Sequence, residues 1–306
     1  MKLVKTKAEL LPWIPGIEGV YKMVELAGRT CYKSTDKITD DSAKPFVDRM
    51  INSHHTAMLE HGTVYFYDKD WNGSPLEKYK RNKYSKYSDN YLEKEVCQGD
   101  TDYLYEYFVT TNLRVLVENN WLDDLKYICE PTEHHQRRYS FRLITSIGVT
   151  RELNRHRVNS IAEQSTRYCN YSKDKFGGEV SFCLPSWLDW KEEEMHKGDF
   201  EKSGSGSFDS GTWINSLLEA ESAYLYLIHQ GWQPQQAREV LPLCTATEIV
   251  HTAFASDWRH FFDLRLFAKT GNPHPNMLLL AQLMQAEAEK AGIWDDIMKQ
   301  PSEFEL

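Results

Sequence analysis

Two segments of this sequence alternate in a way that predicts β-strands. Residues 62–68 (GTVYFYD) and 138–145 (RYSFRLIT) are rich in β-branched and aromatic residues, and Tyr139, Phe141 and Leu143 fall on one side of the second segment. One apolar and one polar side is typical of an antiparallel sheet with one covered face. Since most of the remaining apolar spacing is helical, we predict an α+β fold, in which a modest antiparallel sheet packs with several helices.

Helical spacing of apolar residues marks several further segments. In the N-terminal half these are residues 41–53 and a helix from residue 147 to 157, which Ser146 can cap. Four more helices are predicted toward the C-terminus, at residues 212–232, 234–255, 256–271 and 275–292. Proline opens the second and fourth of these, where its missing N–H is not needed, and glycine ends the first, third and fourth.

The tract between the two predicted strands, residues 69–137, is interpreted as an insertion with its own helices. Its first part, residues 77–95, is rich in Tyr and Lys, and we interpret it as a solvated loop or a subunit contact rather than a grip on single-stranded nucleic acid. Apolar spacing in residues 103–128 predicts a helix. The histidine pair and the arginines at 134–138 are expected at the solvated surface. We thus expect residues 1–306 to form a single domain, with a helical insertion at about 69–137.

Composition narrows the functional classes. The net charge of −9 disfavours a general binder of nucleic acid or of anionic membranes, although a local basic pocket could still hold a small anion. We find neither a secretory signal nor a run of about 18 apolar residues. The six cysteines form no C-x-x-C pair, so we expect a cytoplasmic protein with reduced thiols and no metal site. Residues 191–211, rich in Gly, Ser and charged side chains, are expected to form a surface loop.

The stretch RHRVNSIAEQSTRY, residues 155–168, concentrates fixed positive charge in an acidic protein. Arginine stays ionised and offers a planar fork of donors that fits phosphate and carboxylate groups. Hydroxyl, amide and carboxylate side chains between the arginines could form hydrogen bonds with a base or a sugar. From these residues alone, a solvated charged surface is the favoured interpretation, and an anion-binding loop at the end of the predicted 147–157 helix is the alternative.

The spacing of this stretch resembles the signature of flavin-dependent thymidylate synthases. R-H-R at 155–157, followed after seven residues by Ser165, is similar to that family's pattern, and four other segments resemble its blocks in the same order. These segments are GRTCY (28–32), HTAMLEH (55–61), AREVLPL (237–243) and WRHFFDLR (258–265). The resemblance covers most of residues 20–70 and 138–290, and it leaves the 69–137 tract outside.

The resemblance implies a reaction, a set of cofactors and an assembly. Enzymes of this family convert dUMP to dTMP with methylenetetrahydrofolate as the carbon donor, FAD as the redox carrier and NADPH as the reductant. No G-x-G-x-x-G or Walker-type loop occurs in this chain, so FAD would be held by side chains and subunit surfaces. The family arrangement, a homotetramer with active sites between subunits, is expected here.

The resemblance also implies roles for individual residues. Those matched to flavin contacts are Cys31, His55, Ala57, Arg155, His156, Arg157, Glu163 and His260. Those matched to the nucleotide are Glu152, Arg155, Glu163, Gln164, Ser165, Thr166, Arg167, Arg238 and Arg265. Arg265 matches the catalytic arginine that favours ionisation of uracil N3, which makes C5 electron-rich without a covalent nucleophile. Ser165 has no neighbouring base in the sequence and is therefore assigned to binding. We expect the guanidinium groups of residues 155, 157, 167, 238 and 265 to converge.

Two departures from the family pattern leave other functions open. Glu152 stands where the family usually has Gln beside the nucleotide, which allows methylation or hydroxymethylation of another pyrimidine nucleotide. Phe254-Ala255-Ser256 replaces the family's Asn-x-Arg, which usually contacts flavin, and this allows a non-catalytic nucleotide-binding relative. Methylation of dUMP is the leading hypothesis.

Overall fold

The computed structural model describes residues 1–97, 100–188, 194–196 and 208–304. The strands in chain order are β1 (Lys2–Val4), β2 (Lys7–Leu11), β3 (Thr63–Asp70), β4 (Lys86–Cys97), β5 (Asp100–Asn112), β6 (Arg138–Ser146), β7 (Ser160–Glu163), β8 (Ser181–Cys183), β9 (Glu194–His196) and β10 (Ala246–Phe254). The α-helices are α1 (Gly16–Cys31), α2 (Ala43–Asn52), α3 (Leu113–Glu118), α4 (Ile147–Leu153), α5 (Phe208–His229), α6 (Pro234–Ala237), α7 (Ala255–Arg265), α8 (Pro275–Lys290) and α9 (Trp294–Met298). Both predicted strands are confirmed, as β3 and β6. Five predicted helices are confirmed with shifted ends, as α2, α4, α5, α7 and α8.

Strand pairing among the described residues builds three sheets instead of the one modest sheet predicted. The central sheet has the order β2-β6-β10-β7 and is antiparallel throughout. A second antiparallel sheet has the order β3-β5-β4. The small third sheet, β8-β1-β9, pairs β1 in parallel with β8. The mixed α and β content with antiparallel sheets agrees with the predicted fold class.

Strand β10 replaces most of the helix predicted at 234–255. Within this stretch α6 is the α-helical part, and all nine residues of β10 are buried. Because β10 lies between β6 and β7 with both faces covered, its apolar residues do not alternate with polar ones. Periodicity cannot distinguish a fully buried strand from a buried helix, which is why this prediction was wrong.

In the 69–137 tract, which we predicted as a helical insertion, β4 and β5 form a β-hairpin and α3 is the α-helical part. β4 pairs with β5, and β5 pairs with β3, so the tract extends a sheet that begins before it. We predicted a helix at 103–128, and this was wrong up to Asn112, where the chain forms β5. The Asn112 side chain caps α3 by accepting a hydrogen bond from the Val115 N–H at 3.2 Å. α3 itself confirms the helical spacing over the residues that follow the cap.

The R-H-R motif lies in a turn between α4 and β7. Ser146 caps α4 as predicted and accepts from the Val149 N–H at 3.4 Å. The helix ends at Leu153 rather than at 157, so the motif lies beyond it. β7 then runs antiparallel to β10, with Ser160 opposite Thr252. The turn is therefore held at both ends by regular structure.

Two apolar cores position the elements around this turn. In one, α4, α7 and α8 pack on β6 and β10, with Trp258 and Phe261 fully buried. The other joins α1 and α2 to β3, β5 and α3. No helix in the described part of the chain has both the length and the apolarity needed to cross a membrane. The loop predicted at 191–211 falls largely outside the described residues.

Candidate active site

The R-H-R turn separates two clefts. The larger, of about 760 Å³, is bounded by the turn on one side and by residues 81–84 and 112–119 on the other. The smaller, of about 350 Å³, lies between the turn, the start of α7 and strand β4. His156, Arg157 and Asn159 line both clefts. These three residues can therefore meet a ligand from either side.

Arg265 reaches this turn from a distant part of the sequence. Its Nε donates to His156 Nε2 at 3.1 Å, and its Nη1 donates to Glu152 Oε2 at 2.7 Å. Glu152 lies on α4, and Arg265 is the last residue of α7. We call these three residues the Arg265 cluster. The cluster joins the R-H-R turn to the C-terminal block of the family resemblance.

His156 in the Arg265 cluster is neutral near pH 7. Burial, the Arg265 guanidinium and His260 lower the pKa of His156 to about 4. Because Nε2 accepts from Arg265, the neutral ring carries its hydrogen on Nδ1. The Nδ1 atom is buried and has no hydrogen-bond partner within the described chain. An unused N–H donor is thus held at the junction of the two clefts.

The loop that follows β7 is fixed against α1 and reached by a distant arginine. The Ser165 N–H donates to the Cys31 carbonyl at 2.8 Å. Arg238 Nη1 donates to Thr166 Oγ1 at 2.9 Å. The structure thus brings together two predicted nucleotide-binding residues, Arg238 and Thr166, that lie 72 positions apart in the chain.

Glu163 and Gln164 connect this loop to the central sheet. The Gln164 N–H donates to the Glu248 carbonyl at 2.8 Å, next to β7. Burial raises the pKa of Glu163 above its ordinary value, while the nearby hydroxyl groups of Thr150 and Thr247 oppose the rise. Glu163 is therefore easier to protonate than an exposed glutamate.

The remaining predicted site residues are exposed side chains around these two groups. They are His55, Ala57, Arg155, Arg157 and Arg167, whereas His260 is half-buried. His260 lines the smaller cleft, where its Nδ1 lies 3.3 Å from Glu303 Oε2. Of the five arginines expected to converge, Arg265 reaches the R-H-R turn and Arg238 reaches the loop after β7. Within one chain the expected binding residues therefore form two groups.

Arg138 is a buried cation, although we expected residues 134–138 at the surface. That prediction was wrong for His135 and Arg138, which are 5% and 7% exposed. The Arg138 guanidinium donates to Thr63 Oγ1 at 3.0 Å and to Ser160 Oγ at 3.1 Å. Burial lowers the pKa of Arg138 to about 10, so the group stays charged near pH 7. Strand alternation alone did not reveal this, because Arg138 lies on the polar side of β6, which the alternation predicts to be solvated.

The 69–137 tract also supplies cations to the larger cleft. Arg81, Lys83 and Arg114 line it. We interpreted the Tyr/Lys segment as a solvated loop or a subunit contact, but Tyr79 is fully buried and its hydroxyl donates to Asp124 Oδ2 at 2.8 Å. This anchor holds the chain just before the cleft-lining residues, and an aromatic residue among lysines was the available sequence signal for it.

The histidines around residue 55 differ in burial. His55 is exposed, whereas His61 is buried with its Nδ1 2.9 Å from Thr252 Oγ1. Burial and Arg138 lower the pKa of His61 to about 3. No group of three or more His, Cys, Asp or Glu side chains in the described residues is placed to hold a metal ion. His61 instead belongs to a hydroxyl network on β10.

The larger cleft has the donors that a phosphorylated, hydrogen-bonding cofactor requires. Three of its lining residues, Arg138, His156 and Asn159, hold buried polar side-chain atoms that have no hydrogen-bond partner among the described residues. Leaving such an atom unsatisfied costs about 1–3 kcal/mol, so these atoms are expected where a ligand binds. Together with the guanidinium group of Arg81, these residues fit a flavin dinucleotide, which carries both phosphates and ring acceptors, whereas Arg114 is paired with Glu60 and Glu118.

A family model described as Thymidylate synthase complementing protein matches residues 77–291. The match covers well over half of the chain. It includes most of the 69–137 tract, which we had placed outside the resemblance. The resembling segments at 28–32 and 55–61 lie before the matched residues.

Curated relatives align with part of the chain. The flavin-dependent thymidylate synthase of Pyrococcus furiosus is 31% identical over 117 residues, which is 38% of this chain and 41% of that protein. The enzyme of the same name from Mycobacterium marinum is 31% identical over 93 residues, 30% of this chain and 37% of that protein. The one from Pseudothermotoga lettingae is 28% identical over 127 residues, 42% of this chain and 52% of that protein. The chain thus spans about half or less of the length of these relatives.

Solved structures align over nearly the whole chain at low identity. The UMP/dUMP methylase PolB from Streptomyces cacaoi, bound with 5-Br dUMP, is 18% identical with a TM-score of 0.43, over 97% of this chain and 96% of that chain. Thymidylate Synthase X from Helicobacter pylori with FAD and dUMP is 15% identical with a TM-score of 0.40, over 96% of this chain and 100% of that chain.

Proposed function

Because this chain belongs to the family of thymidylate synthase complementing proteins, we propose that it converts dUMP to dTMP by reductive methylation. Methylenetetrahydrofolate is the carbon donor, FAD the redox carrier and NADPH the reductant, and the reaction takes place in the cytoplasm. The observation that carries the proposal is the contact of Arg265 with His156 and Glu152, which joins the R-H-R turn to the end of α7. Relatives named flavin-dependent thymidylate synthase support the same reaction class.

Arg265 is the proposed catalytic residue. Its side chain is 19% exposed and permanently charged, so it can stabilise a uracil ring as the N3 anion where water is partly excluded. The electron density then rises at C5, the carbon that attacks, and no covalent enzyme nucleophile is required. The hydrogen bond from Arg265 Nε to His156 restricts the orientation of the guanidinium plane.

The loop after β7 is the proposed nucleotide-binding segment. Arg167 and Arg238 supply two cations for a phosphate, and the contact of Arg238 with Thr166 places one of them beside the loop. The Ser165 hydroxyl accepts from the Arg167 N–H at 3.3 Å, so its own hydrogen remains to donate to a ligand. The Gln164 side chain adds an amide that can recognise the base or the sugar.

The R-H-R turn and the larger cleft are the proposed flavin site. When bound, FAD supplies the hydride that brings a carbon at the formaldehyde oxidation level to a methyl group. His156 Nδ1–H and the Asn159 amide would donate to the cofactor, and Arg157 and Arg81 would meet its phosphates. The other flavin contacts proposed from the resemblance are Cys31, His55, Ala57, Arg155, Glu163 and His260.

A homotetramer, built from four single-domain chains of residues 1–306, is the proposed assembly. The exposed positions of His55, Ala57 and Arg155 support it, because a second copy would cover them and complete the site. Gel filtration with light scattering is expected to give about four times the 35.8 kDa chain mass. A well-behaved monomer that carries bound flavin would contradict this assembly.

Anaerobic incubation with dUMP, methylenetetrahydrofolate, NADPH and FAD tests the reaction. The wild-type protein is expected to form dTMP, identified by mass. Arg265→Ala is expected to lose turnover by roughly 100-fold or more while it retains the yellow flavin absorbance. Arg151→Ala, which removes an exposed arginine from α4, is the control and should keep turnover.

Other outcomes of this assay have defined meanings. Turnover retained by Arg265→Ala would reject the activating role of this arginine. A colourless wild-type preparation that cannot be reconstituted with FAD, yet binds nucleotide, would favour a non-catalytic nucleotide-binding relative.

Glu152 supports a second candidate, the methylation or hydroxymethylation of another pyrimidine nucleotide. Its carboxylate, 2.7 Å from Arg265, offsets part of the charge that would ionise uracil. A carboxylate can also accept a hydrogen bond from the amino group of cytosine, which uracil lacks. Replacing dUMP with dCMP in the same assay, and measuring the product mass, separates the two candidates.

A further inference from the structure

A further cavity, of about 190 Å³, lies between the first half of α1 and the central sheet. We call it the α1 cavity. Among the described residues, Arg138 is the one lining residue that it shares with the larger cleft, and it shares none with the smaller cleft. None of the residues that we matched to flavin or nucleotide contacts lines it. The α1 cavity is therefore a separate site, which the proposed reaction does not use.

Apolar side chains form most of the wall of the α1 cavity. Leu10 comes from β2, and Val20 and Met23 come from α1. Trp13 and Ile14, in the segment between these two elements, line the cavity and yet are 38% and 40% exposed, so they mark its opening to solvent. An apolar cavity of about 150 Å³ can hold benzene. The α1 cavity, at about 190 Å³, therefore has room for a six-membered ring with a short substituent.

Arg138 brings a buried positive charge to the α1 cavity. Its Nη1 donates to the Glu60 carbonyl and to Thr63 Oγ1, and its Nη2 donates to Ser160 Oγ, so all three acceptors are neutral. The Glu60 carboxylate is paired with Arg114 instead. The Arg138 Nε is buried and has no hydrogen-bond partner among the described residues. Because a buried charge without an ion-pair partner is costly, an anion is expected to bind here.

His61 supplies a second unused polar atom in the lining of the α1 cavity. Its side chain is 1% exposed, and its Nε2 has no hydrogen-bond partner in the described part of the chain. Its Nδ1 lies 2.9 Å from Thr252 Oγ1, which lies 2.7 Å from Ser140 Oγ. Burial and the Arg138 guanidinium lower the pKa of His61 to about 3, so the ring is neutral near pH 7. When Nδ1 accepts from the Thr252 hydroxyl, Nε2 carries the hydrogen and can donate to a ligand.

We propose that the α1 cavity binds a small carboxylate with an aromatic or branched apolar body. The apolar wall holds the body, and Arg138 Nε–H and His61 Nε2–H donate to the carboxylate oxygens, since both Nη atoms of Arg138 are already engaged. The fixed charge of Arg138 favours a carboxylate over a neutral amide, and none of the described lining residues is an Asp or Glu that would oppose it. At about 190 Å³ the cavity is smaller than the roughly 300–1,000 Å³ of sites for drug-sized ligands, so a nucleotide, flavin or folate does not fit. This site would exist whether or not the chain methylates dUMP.

Calorimetric titration of benzoate, benzamide and benzylammonium into the full chain tests the chemistry of this site. The three probes have the same ring and differ in the charge of the substituent. Benzoate is expected to bind about tenfold more tightly than benzamide, which is the difference between a charge-assisted and a neutral hydrogen bond. Benzylammonium is expected not to bind, because the Arg138 guanidinium repels it. Equal affinities for the three probes, or no binding of benzoate, would overturn the proposal.

Ile14→Asp locates the site, because it places a carboxylate at the opening of the α1 cavity on an exposed position. It is expected to raise the Kd for benzoate about tenfold or more, since the like charge repels the ligand. Ile38→Asp, on an isoleucine that is 39% exposed and does not line the cavity, is the matched control and should leave the Kd within about twofold. Arg81→Met removes a cation from the larger cleft alone and should also leave the Kd unchanged.

His61→Phe tests the second donor, because phenylalanine keeps an aromatic ring and has no N–H. The Kd for benzoate is expected to rise about tenfold, with folding checked by far-UV circular dichroism. If His61→Phe does not fold, Ile14→Asp on the surface still decides whether the cavity is the site. Equal losses in Ile14→Asp and Ile38→Asp, or a loss in Arg81→Met, would place benzoate elsewhere and reject the α1 cavity. Unchanged binding in folded His61→Phe would overturn the role of His61.

Discussion

At the scale of single residues, the pairing of Arg265 with Glu152 sets how strongly the site can stabilise negative charge. The two side chains are 19% and 30% exposed, so their attraction is only partly screened. A carboxylate 2.7 Å from the guanidinium offsets part of the positive charge that a uracil anion would meet. A neutral amide at the same position would keep a hydrogen-bond acceptor for Arg265 and remove the opposing charge.

Glu152→Gln is therefore expected to raise the rate of dUMP methylation. Relief of a partly exposed pair interaction of about 1 kcal/mol corresponds to roughly a fivefold increase in kcat/KM. Steady-state rates with dUMP and with dCMP measure the change. Glu219→Gln, which neutralises an exposed carboxylate on α5, is the matched control. An unchanged or lower rate with dUMP would show that Glu152 acts by orienting Arg265 instead.

At the scale of elements, the packing of α1 on Gly62 holds the HTAMLEH segment beside the central sheet. A Cβ placed on Gly62 would lie 2.7 Å from Val20 Cγ1 and 2.9 Å from Val24 Cγ2. Both valines are buried in the core that joins α1 to β3 and β5. Their branched side chains have little rotamer freedom on a helix, so they cannot move aside at low cost.

Gly62→Ala is expected to lower the free energy of unfolding by about 2 kcal/mol, as overpacking in a core does. Urea titration followed by far-UV circular dichroism measures it. Gly211→Ala on α5 is the matched control, because no atom of the described residues lies within 4 Å of its Cβ position. Alanine also favours a helix over glycine by up to about 1 kcal/mol, so stability should hold or rise slightly. Equal effects of the two substitutions would show that α1 does not pack closely on Gly62.

Two elements show where prediction from the sequence failed for a physical reason. β6 alternates clearly, and β10, its neighbour, does not, because β10 is covered on both faces by the rest of the molecule. β5 likewise carries apolar spacing that fits a helix as well as a strand. β10 pairs with β6, and β5 pairs with β3, both distant in sequence, so local periodicity carries no information about these partners.

At the scale of the whole molecule, three buried histidines make stability sensitive to acid. Burial is the largest cause that lowers the pKa of His61 and His251 to about 3 and that of His156 to about 4, from 6.5. His251 has no partner for either ring nitrogen within the described chain. In the unfolded chain these residues titrate near 6.5, so the unfolded state binds more protons below that pH.

The free energy of unfolding is therefore expected to fall as the pH drops below about 6.5 and to keep falling toward 4. Each histidine contributes a slope approaching about 1.4 kcal/mol per pH unit. Urea titrations at pH 7, 6 and 5 measure the slope, and His251→Leu should make it shallower. His229→Leu, at an exposed position on α5, is the control and should leave the slope unchanged. An equal slope in His251→Leu would show that His251 is already protonated in the folded protein.

The sequence by itself determined the local features: the strands at β3 and β6, the cap of α4 at Ser146, the helices near the C-terminus, and the spacing of R-H-R to Ser165. Each depends on residues within a few positions of one another. The tertiary structure alone decided that Arg265 meets His156, that Arg238 meets Thr166, and that the 69–137 tract lines the clefts with Arg81 and Lys86. Those contacts join residues tens of positions apart, and they form only because buried strands pair and bring distant chain segments to one turn.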